Sequence, residues 1–180
     1  IIYRLEEKLK DEMQTRMPLE KIHHSDGIAN VQKIFEMNNK TKDIIAGCIV
    51  TTGFLTKKQI KGGYPIGFSI RRPGAGDRAM KILKEIENDP TSTGPGGKYN
   101  GVAIPDKNDN DLLKNDIVFR EETINDDTVT LRRFKDIVST IENGSECGIA
   151  LTRFKNWKDG DVIECYRIEM RRKELTMLPP

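Results

Sequence analysis

The stretch that decides the fold reads IIAGCIV at residues 44–50. It is short and apolar throughout, and turn-forming residues flank it: Asn38 and Asn39 before it, Thr52 and Gly53 after it. Short apolar runs between turns are typical of buried β-strands. Further strand-like segments lie at residues 30–36, 66–72, 117–120, 129–132, 137–141, 147–151 and 162–169. Many short strands predict a mainly β protein, and we expect a closed β-barrel because closure removes exposed sheet edges.

The N-terminal segment has a different periodicity. Ile2, Leu5, Leu9 and Met13 follow one another at spacings of three, four and four residues, and polar residues fill most of the other positions. This pattern predicts a long α-helix with a narrow apolar stripe, ended by Pro18. The stripe suits a terminal helix packed on its own domain and equally an arm that joins two domains.

Residues 73–116 interrupt the series of strands. They contain a predicted short helix at 77–88, with Asp77 as N-cap and Met80, Leu83 and Ile86 on one face. The rest is rich in turn-forming residues, and so long an irregular stretch inside a small barrel is best interpreted as an insertion. Its six basic and eight acidic residues do not suit a nucleic-acid arm.

Length and composition exclude several classes of protein. The 180 residues suit one domain or a small domain with an arm, and the chain, which begins without Met, is interpreted as a piece of a longer protein. The net charge of +2 means that any contact with nucleic acid must use a local basic patch. No apolar run is long enough for a membrane helix, so no membrane partner is expected.

The cysteines and histidines point away from disulfides and metals. Three cysteines without a closely spaced pair favour a reducing compartment over a disulfide framework. The two histidines, His23 and His24, are adjacent and are expected in an exposed loop. We predict no metal site and no catalytic residue.

Two short motifs carry chemistry. Arg132, Arg133 and Lys135 surround Phe134, a combination that can hold phosphates while the ring stacks on a base. The alternative is a solvated strand edge with one inward-facing Phe. Cys147, beside Gly148, can line a tight pocket or occupy an ordinary core position.

Taken in order, the motifs resemble those of a known family, the bacterial and organellar type of translation initiation factor two. The resemblance is to its C-terminal region and covers residues 1–72 and 117–172. The opening five residues and Arg16-Met17-Pro18 are closer to the mitochondrial form. The motifs are Ile1-Ile2-Tyr3-Arg4-Leu5, Ala46-Gly47-Cys48, Thr130-Leu131-Arg132-Arg133-Phe134-Lys135-Asp136, Gly144-Ser145-Glu146-Cys147-Gly148 and Asp159-Gly160-Asp161-Val162-Ile163-Glu164.

The resemblance implies an architecture and a function. Residues 1–18 would form a connecting helix, 19–172 a barrel of the elongation-factor type carrying the insertion, and 173–180 a tail. The barrel would bind the acceptor end of formylmethionyl initiator tRNA on the small ribosomal subunit and promote joining of the large subunit. The parent would be a GTPase, with GTP and magnesium bound in a G domain outside this chain. The implied location is the mitochondrial matrix, with bacterial cytoplasm or plastid stroma as alternatives.

The resemblance also implies which residues contact the tRNA end. A soft apolar pocket would hold the methionine side chain, the cations would hold phosphates, and the missing side chain at Gly148 would let a backbone N–H approach the ligand. Arg132 stands where the family usually has Lys. The implied residues are Phe35, Cys48, Arg132, Arg133, Phe134, Lys135, Glu146, Cys147 and Gly148.

Two other functions remain open at this point. The chain can be a structural barrel in a ribosomal assembly, with residues 73–116 docking on a ribosomal protein. It can also be a barrel of another translational GTPase. Neither alternative includes recognition of formylmethionine.

Overall fold

The computed structural model describes residues 5–9, 12, 18–38, 40–59 and 62–172, and it is mainly β. The strands are β1 (Leu19–Glu36), β2 (Ile44–Thr56), β3 (Ile66–Arg71), β4 (Ile117–Glu121), β5 (Val129–Arg133), β6 (Asp136–Val138), β7 (Thr140–Glu142), β8 (Glu146–Leu151) and β9 (Val162–Arg172). Two α-helices, α1 (Ala75–Asn88) and α2 (Asn110–Asn115), and a 3-10 helix (Pro90–Thr93) lie between β3 and β4.

The strands form one antiparallel sheet in the order β4-β3-β9-β1-β2-β8-β5-β6. The two longest strands, β1 and β2, pair in its centre, with Phe35 opposite Ile45. The long β2 serves two partners, because its first half pairs with β8 and its last three residues pair with β7. The predicted single strand at 137–141 is therefore wrong: the chain changes partners at Ser139, whose carbonyl accepts a hydrogen bond from Lys57 N at 2.8 Å.

The predicted closed barrel is not confirmed. The sheet begins at β4 and ends at β6, and no ladder within the described residues joins these two strands. The sheet nevertheless curls around one core, since Phe68 of β3 and Leu131 of β5 belong to the same buried cluster. The ring of Phe119 in β4 stacks on Phe154 with centroids 5.0 Å apart, so aromatic packing joins this edge strand to the segment that follows β8.

The first half of β1 corrects the expectation for the two histidines. They lie in this strand rather than in a loop, opposite Ile168 and Arg167 of β9. The ring of His23 stacks on Tyr166 with centroids 4.4 Å apart, and His24 Nε2 lies 2.6 Å from a carboxylate oxygen of Glu169. Burial and the neighbouring Arg120 guanidinium lower the pKa of His23.

The helix predicted at the N-terminus is seen where the structure describes it. Residues 5–9 and 12 are helical, and the rest of the predicted helix lies outside the described residues. Leu5 and Leu9 are 65% and 57% exposed, so these two side chains are not buried against the sheet. The predicted tail at 173–180 also lies outside the described residues. Within the described ranges, no helix is both long and apolar enough to cross a membrane.

The insertion is a folded unit beside the sheet. Its helix α1 begins after Gly74, whose φ is +80°, so the prediction of Asp77 as N-cap is wrong. The backbone N–H of Gly76 donates to the Asp116 carboxylate at 2.8 Å, which ties the start of α1 to the residue before β4. The core cluster contains no residue of 73–116 among those described.

Candidate functional site

A row of directly opposite residues crosses four strands. Lys33 of β1 lies opposite Gly47 of β2, which lies opposite Gly148 of β8, which lies opposite Arg132 of β5. Side chains of directly opposite residues share one face of a sheet. Two glycines side by side therefore leave a groove, and a cation stands at each end of the row.

The walls of this groove depend on the two glycines. A Cβ atom at Gly47 would lie 2.9 Å from Cε2 of Phe35, and one at Gly148 would lie 2.8 Å from Cγ2 of Ile45. Both distances are shorter than ordinary van der Waals contacts, so any other residue would displace these side chains. Glycine lets the Phe35 ring and the Ile45 side chain lie close against the backbone.

The groove opens into a cavity of about 410 Å³, the groove cavity. Seven of the nine residues implied by the resemblance border it, although they come from four separate strands and a turn. Its lining consists of Gln32, Lys33, Phe35, Ile45, Gly47, Cys48, Arg132, Phe134, Glu146, Cys147 and Gly148.

The two cysteines border the groove cavity from the side of the core. Neighbouring residues of a strand point to opposite faces, so Cys48 and Cys147 face inward where Gly47 and Gly148 face outward. Both cysteines belong to the core cluster, and their sulfur atoms lie 3.3 Å apart. Cys147 therefore lines the cavity and also belongs to the core, so the two alternatives given for it hold together. Cys48 does the same in β2.

Arg132 carries an unused hydrogen-bond donor at the edge of the groove cavity. Its Nε is buried, and within the described residues it has no hydrogen-bond partner. A buried donor without a partner is costly, and a bound carbonyl or phosphate oxygen would satisfy it. At the other end of the row, Lys33 Nζ lies 5.3 Å from the centroid of the Phe35 ring. The cavity therefore combines apolar walls with positive charge.

The turn between β5 and β6 holds the rest of the basic motif. Arg133 and Asp136 pair across it, and Phe134 and Lys135 are its two central residues. Phe134 is 91% exposed and has a φ of +56°, where residues other than Gly, Asn and Asp are uncommon. Arg133 and Lys135 are exposed and do not border the groove cavity. An exposed ring in a strained conformation has no packing role and suits contact with a ligand.

The strain at Phe134 makes opposite predictions for stability and binding. Phe134→Gly is expected to leave stability unchanged or raise it by up to about 1 kcal/mol, because glycine adopts a positive φ without a steric penalty. The same variant should weaken binding of any single-stranded nucleic acid that stacks on the ring. Thermal unfolding and a binding titration measure the two effects. A large loss of stability would show that the ring is a structural element.

Sequence reasoning missed four residues of the groove cavity: Gln32, Lys33, Ile45 and Gly47. Gly47 lies in the Ala46-Gly47-Cys48 motif, for which the resemblance implies a role of the cysteine only. Lys33 had no local signal, because only the strand register places it opposite Gly47.

The Asp159-Gly160-Asp161 motif lies outside the groove cavity and has a structural role. The Asp161 side chain is fully buried, and its two carboxylate oxygens accept hydrogen bonds from Arg72 Nε at 2.9 Å and Nη2 at 3.0 Å. The backbone N–H of Lys158 donates to the same carboxylate at 2.9 Å. The motif thus joins the turn before β9 to the end of β3.

Fold and groove together define the class: a mainly β domain whose surface cavity has apolar walls and cationic edges, suited to a ligand with both apolar and anionic parts. The chain is similar to translation initiation factor IF-2 of Synechococcus sp. (strain CC9311), with 29% identity over 178 residues, 97% of this chain and 10% of that protein. IF-2 of Prochlorococcus marinus is 49% identical over 51 residues, 28% of this chain and 4% of that protein. IF-2 of Mesorhizobium japonicum is 41% identical over 64 residues, 36% of this chain and 7% of that protein.

These relatives are all bacterial, and their shared name supports a role in translation initiation. The chain spans about a tenth of the length of the Synechococcus relative. No model of a protein family matches the chain.

Proposed function

We propose that this domain binds the acceptor end of formylmethionyl initiator tRNA during translation initiation, with the groove cavity as the site of the aminoacyl group. The observation that carries the proposal is the groove cavity itself, which gathers seven of the nine residues that the resemblance implies, one of them a buried donor without a partner among the described residues. The names of the relatives support the same process.

The chemistry of the ligand matches the lining. A methionine side chain needs apolar and polarisable surroundings, which Phe35, Ile45 and the cysteine sulfurs supply. Formylation converts the charged amine to a neutral amide. The formyl carbonyl then requires a hydrogen-bond donor, and a carboxylate partner for the amine is no longer suitable. The Nε of Arg132 is such a donor.

The exposed turn serves the nucleotides of the acceptor end. In this proposal the Phe134 ring stacks on a terminal base, and Arg133 and Lys135 hold phosphates. These contacts with base and phosphates do not depend on which amino acid the tRNA carries, whereas the groove cavity binds the amino acid itself.

The remaining roles belong to the same proposal. Residues 1–18 connect the domain to the rest of the protein, residues 19–172 bind the tRNA end on the small subunit and promote joining of the large subunit, and residues 173–180 form a tail. GTP and magnesium act elsewhere in the full-length protein. The mitochondrial origin, the closure of the barrel and the docking of residues 73–116 on a ribosomal protein stay predictions.

A competition experiment tests the proposal. At fixed salt, the chain is expected to bind formylmethionyl-tRNA more tightly than unformylated methionyl-tRNA. Gly148→Ala should reduce this preference, because the added Cβ, 2.8 Å from Cγ2 of Ile45, pushes that side chain toward the ligand. Fluorescence anisotropy with labelled tRNA gives the two affinities.

Ala150→Ser is the matched control, since Ala150 lies two residues along β8 on the same face and does not border the groove cavity. It should keep the preference. Equal affinities of the unaltered chain for the two tRNAs would refute recognition of the formyl group and favour the structural alternative.

A further inference from the structure

Two of the three cysteines lie directly opposite each other in neighbouring strands. Cys48 of β2 faces Cys147 of β8, with the sulfur atoms 3.3 Å apart and both thiols free. Directly opposite residues of antiparallel strands have Cα atoms about 4.5–5.5 Å apart, within the range that a disulfide spans. A bond between the two sulfurs requires them to approach by only about 1.2 Å.

Two of the three cysteines border the groove cavity, and the third provides a contrast. Cys48 and Cys147 line the cavity, and Cys147 is 7% exposed. Cys165 is fully buried, does not border the cavity and has its Sγ 3.7 Å from the carbonyl oxygen of Thr56. Burial raises the pKa of Cys165 to about 12.

We propose that Cys48 and Cys147 are a redox-active dithiol at the base of the groove cavity, oxidised by a peroxide to an intramolecular disulfide that narrows the cavity. The oxidation depends only on the two thiols. Its effect on tRNA binding rests on the function proposed above.

The reaction has two balanced steps. The Cys147 thiolate attacks one oxygen of hydrogen peroxide, the O–O bond breaks, and the leaving hydroxide takes up the proton of the thiol to give water and a sulfenic acid. Cys48 then attacks the Cys147 sulfur, the S–O bond breaks, and a second water leaves with the Cys48 proton. Two thiols and one peroxide thus give one disulfide and two waters.

The hydrogen bond between the thiols assigns the two roles. Either sulfur can donate; with Cys48 as the donor, the bond lowers the pKa of Cys147 and, together with burial, raises the pKa of Cys48. The thiolate is the attacking species, so Cys147 reacts first and Cys48 resolves the sulfenic acid.

The disulfide changes the groove cavity through the backbone. Cβ atoms of directly opposite residues lie about 4.5–5.5 Å apart, whereas a disulfide holds them at about 3.8 Å. Oxidation therefore draws β2 and β8 together one residue from the Gly47–Gly148 pair. The groove therefore narrows at Gly47 and Gly148, where only backbone lines it.

The test uses the 180-residue chain and hydrogen peroxide under native conditions, followed by alkylation of free thiols, digestion and peptide mass analysis. We expect a Cys48–Cys147 peptide that has lost two hydrogens, reversed by dithiothreitol, with Cys165 alkylated. In Cys48→Ala, peroxide should leave a sulfenic acid on Cys147 that dimedone traps. Alkylated Cys48 and Cys147 after peroxide treatment, or a disulfide that includes Cys165, would overturn the proposal.

Narrowing is measured with and without ligand. The backbone amide chemical shifts of Gly47 and Gly148 should change on oxidation, and formylmethionyl-tRNA should bind about tenfold more weakly until the protein is reduced. Cys165→Ala should respond to peroxide as the unaltered chain does. If oxidation changes neither the amide chemical shifts nor the affinity for the tRNA, the proposed narrowing is wrong. Shifts that change in a chain without preference for formylmethionyl-tRNA would support the switch and refute the proposed function.

Discussion

Replacing Asp161 with alanine is expected to lower the free energy of unfolding by about 3–5 kcal/mol, because Arg72 would keep its charge in a largely buried place with only the carbonyl of Asn156, among the described residues, as acceptor. The Asp161 side chain is fully buried and that of Arg72 is 13% exposed, so little solvent would compensate. Removal of the carboxylate also leaves the backbone N–H of Lys158 without an acceptor. Urea denaturation followed by circular dichroism measures the loss.

Asp126→Ala is the matched control for this prediction. Asp126 also pairs with a cation, Lys57 Nζ at 3.0 Å, but its side chain is 99% exposed. The control should leave the denaturation midpoint nearly unchanged. A double variant, Arg72→Met with Asp161→Leu, should recover part of the loss because neither charge remains. If Asp161→Ala costs no more than the control, the buried pair does not hold β3 to the turn before β9.

Arg132→Ala is expected to weaken binding of formylmethionyl-tRNA by about tenfold to a hundredfold, since a hydrogen bond from a charged group contributes about 1.5–3 kcal/mol. Stability should change little, because the Nε of Arg132 has no partner within the described residues that the variant would disrupt. Binding titrations at fixed salt, with thermal unfolding of the same samples, separate the two effects.

Two other arginines complete the experiment. Arg133→Ala removes an exposed cation outside the groove cavity, so it should weaken both the formylated and the unformylated tRNA and reduce the dependence on salt. Arg78→Ala, in helix α1, should change neither affinity. An Arg132 variant that behaves like the Arg133 variant would show that Arg132 contacts phosphate and not the aminoacyl group.

The local sequence pattern predicted the central strand β2, but it did not predict the first half of β1 or the start of helix α1. The apolar run at 44–50 predicted part of β2 because apolar side chains favour burial whatever their sequence neighbours are, and Ala46, Cys48 and Val50 are buried. The first half of β1 is largely polar and exposed, and it forms a strand because β9 offers a partner along its whole length. The local pattern predicts a helix N-cap at Asp77, but the helix begins earlier because Asp116, forty residues away, accepts a hydrogen bond from Gly76.

The candidate site shows the same division. Short motifs pointed to Arg132 and Cys147, because cationic and soft apolar side chains have recognisable chemistry wherever they fold, whereas Phe35 and Cys48 were implied by the family resemblance. Nothing local connects Lys33 with Gly47 or Gly47 with Gly148, since these pairs exist only through strand register.

The sequence by itself determined a mainly β domain and an insertion outside its core, because burial and turn preference are properties of short segments. Most residues of the groove cavity were implied by the family resemblance. The tertiary structure alone decided that the sheet, within the described part of the chain, remains open at β4 and β6, that two glycines meet to form the groove, and that two cysteines distant in sequence come to lie 3.3 Å apart. Each of these depends on which strands pair and in what register, and pairing is set by the packing of the whole core rather than by any one strand.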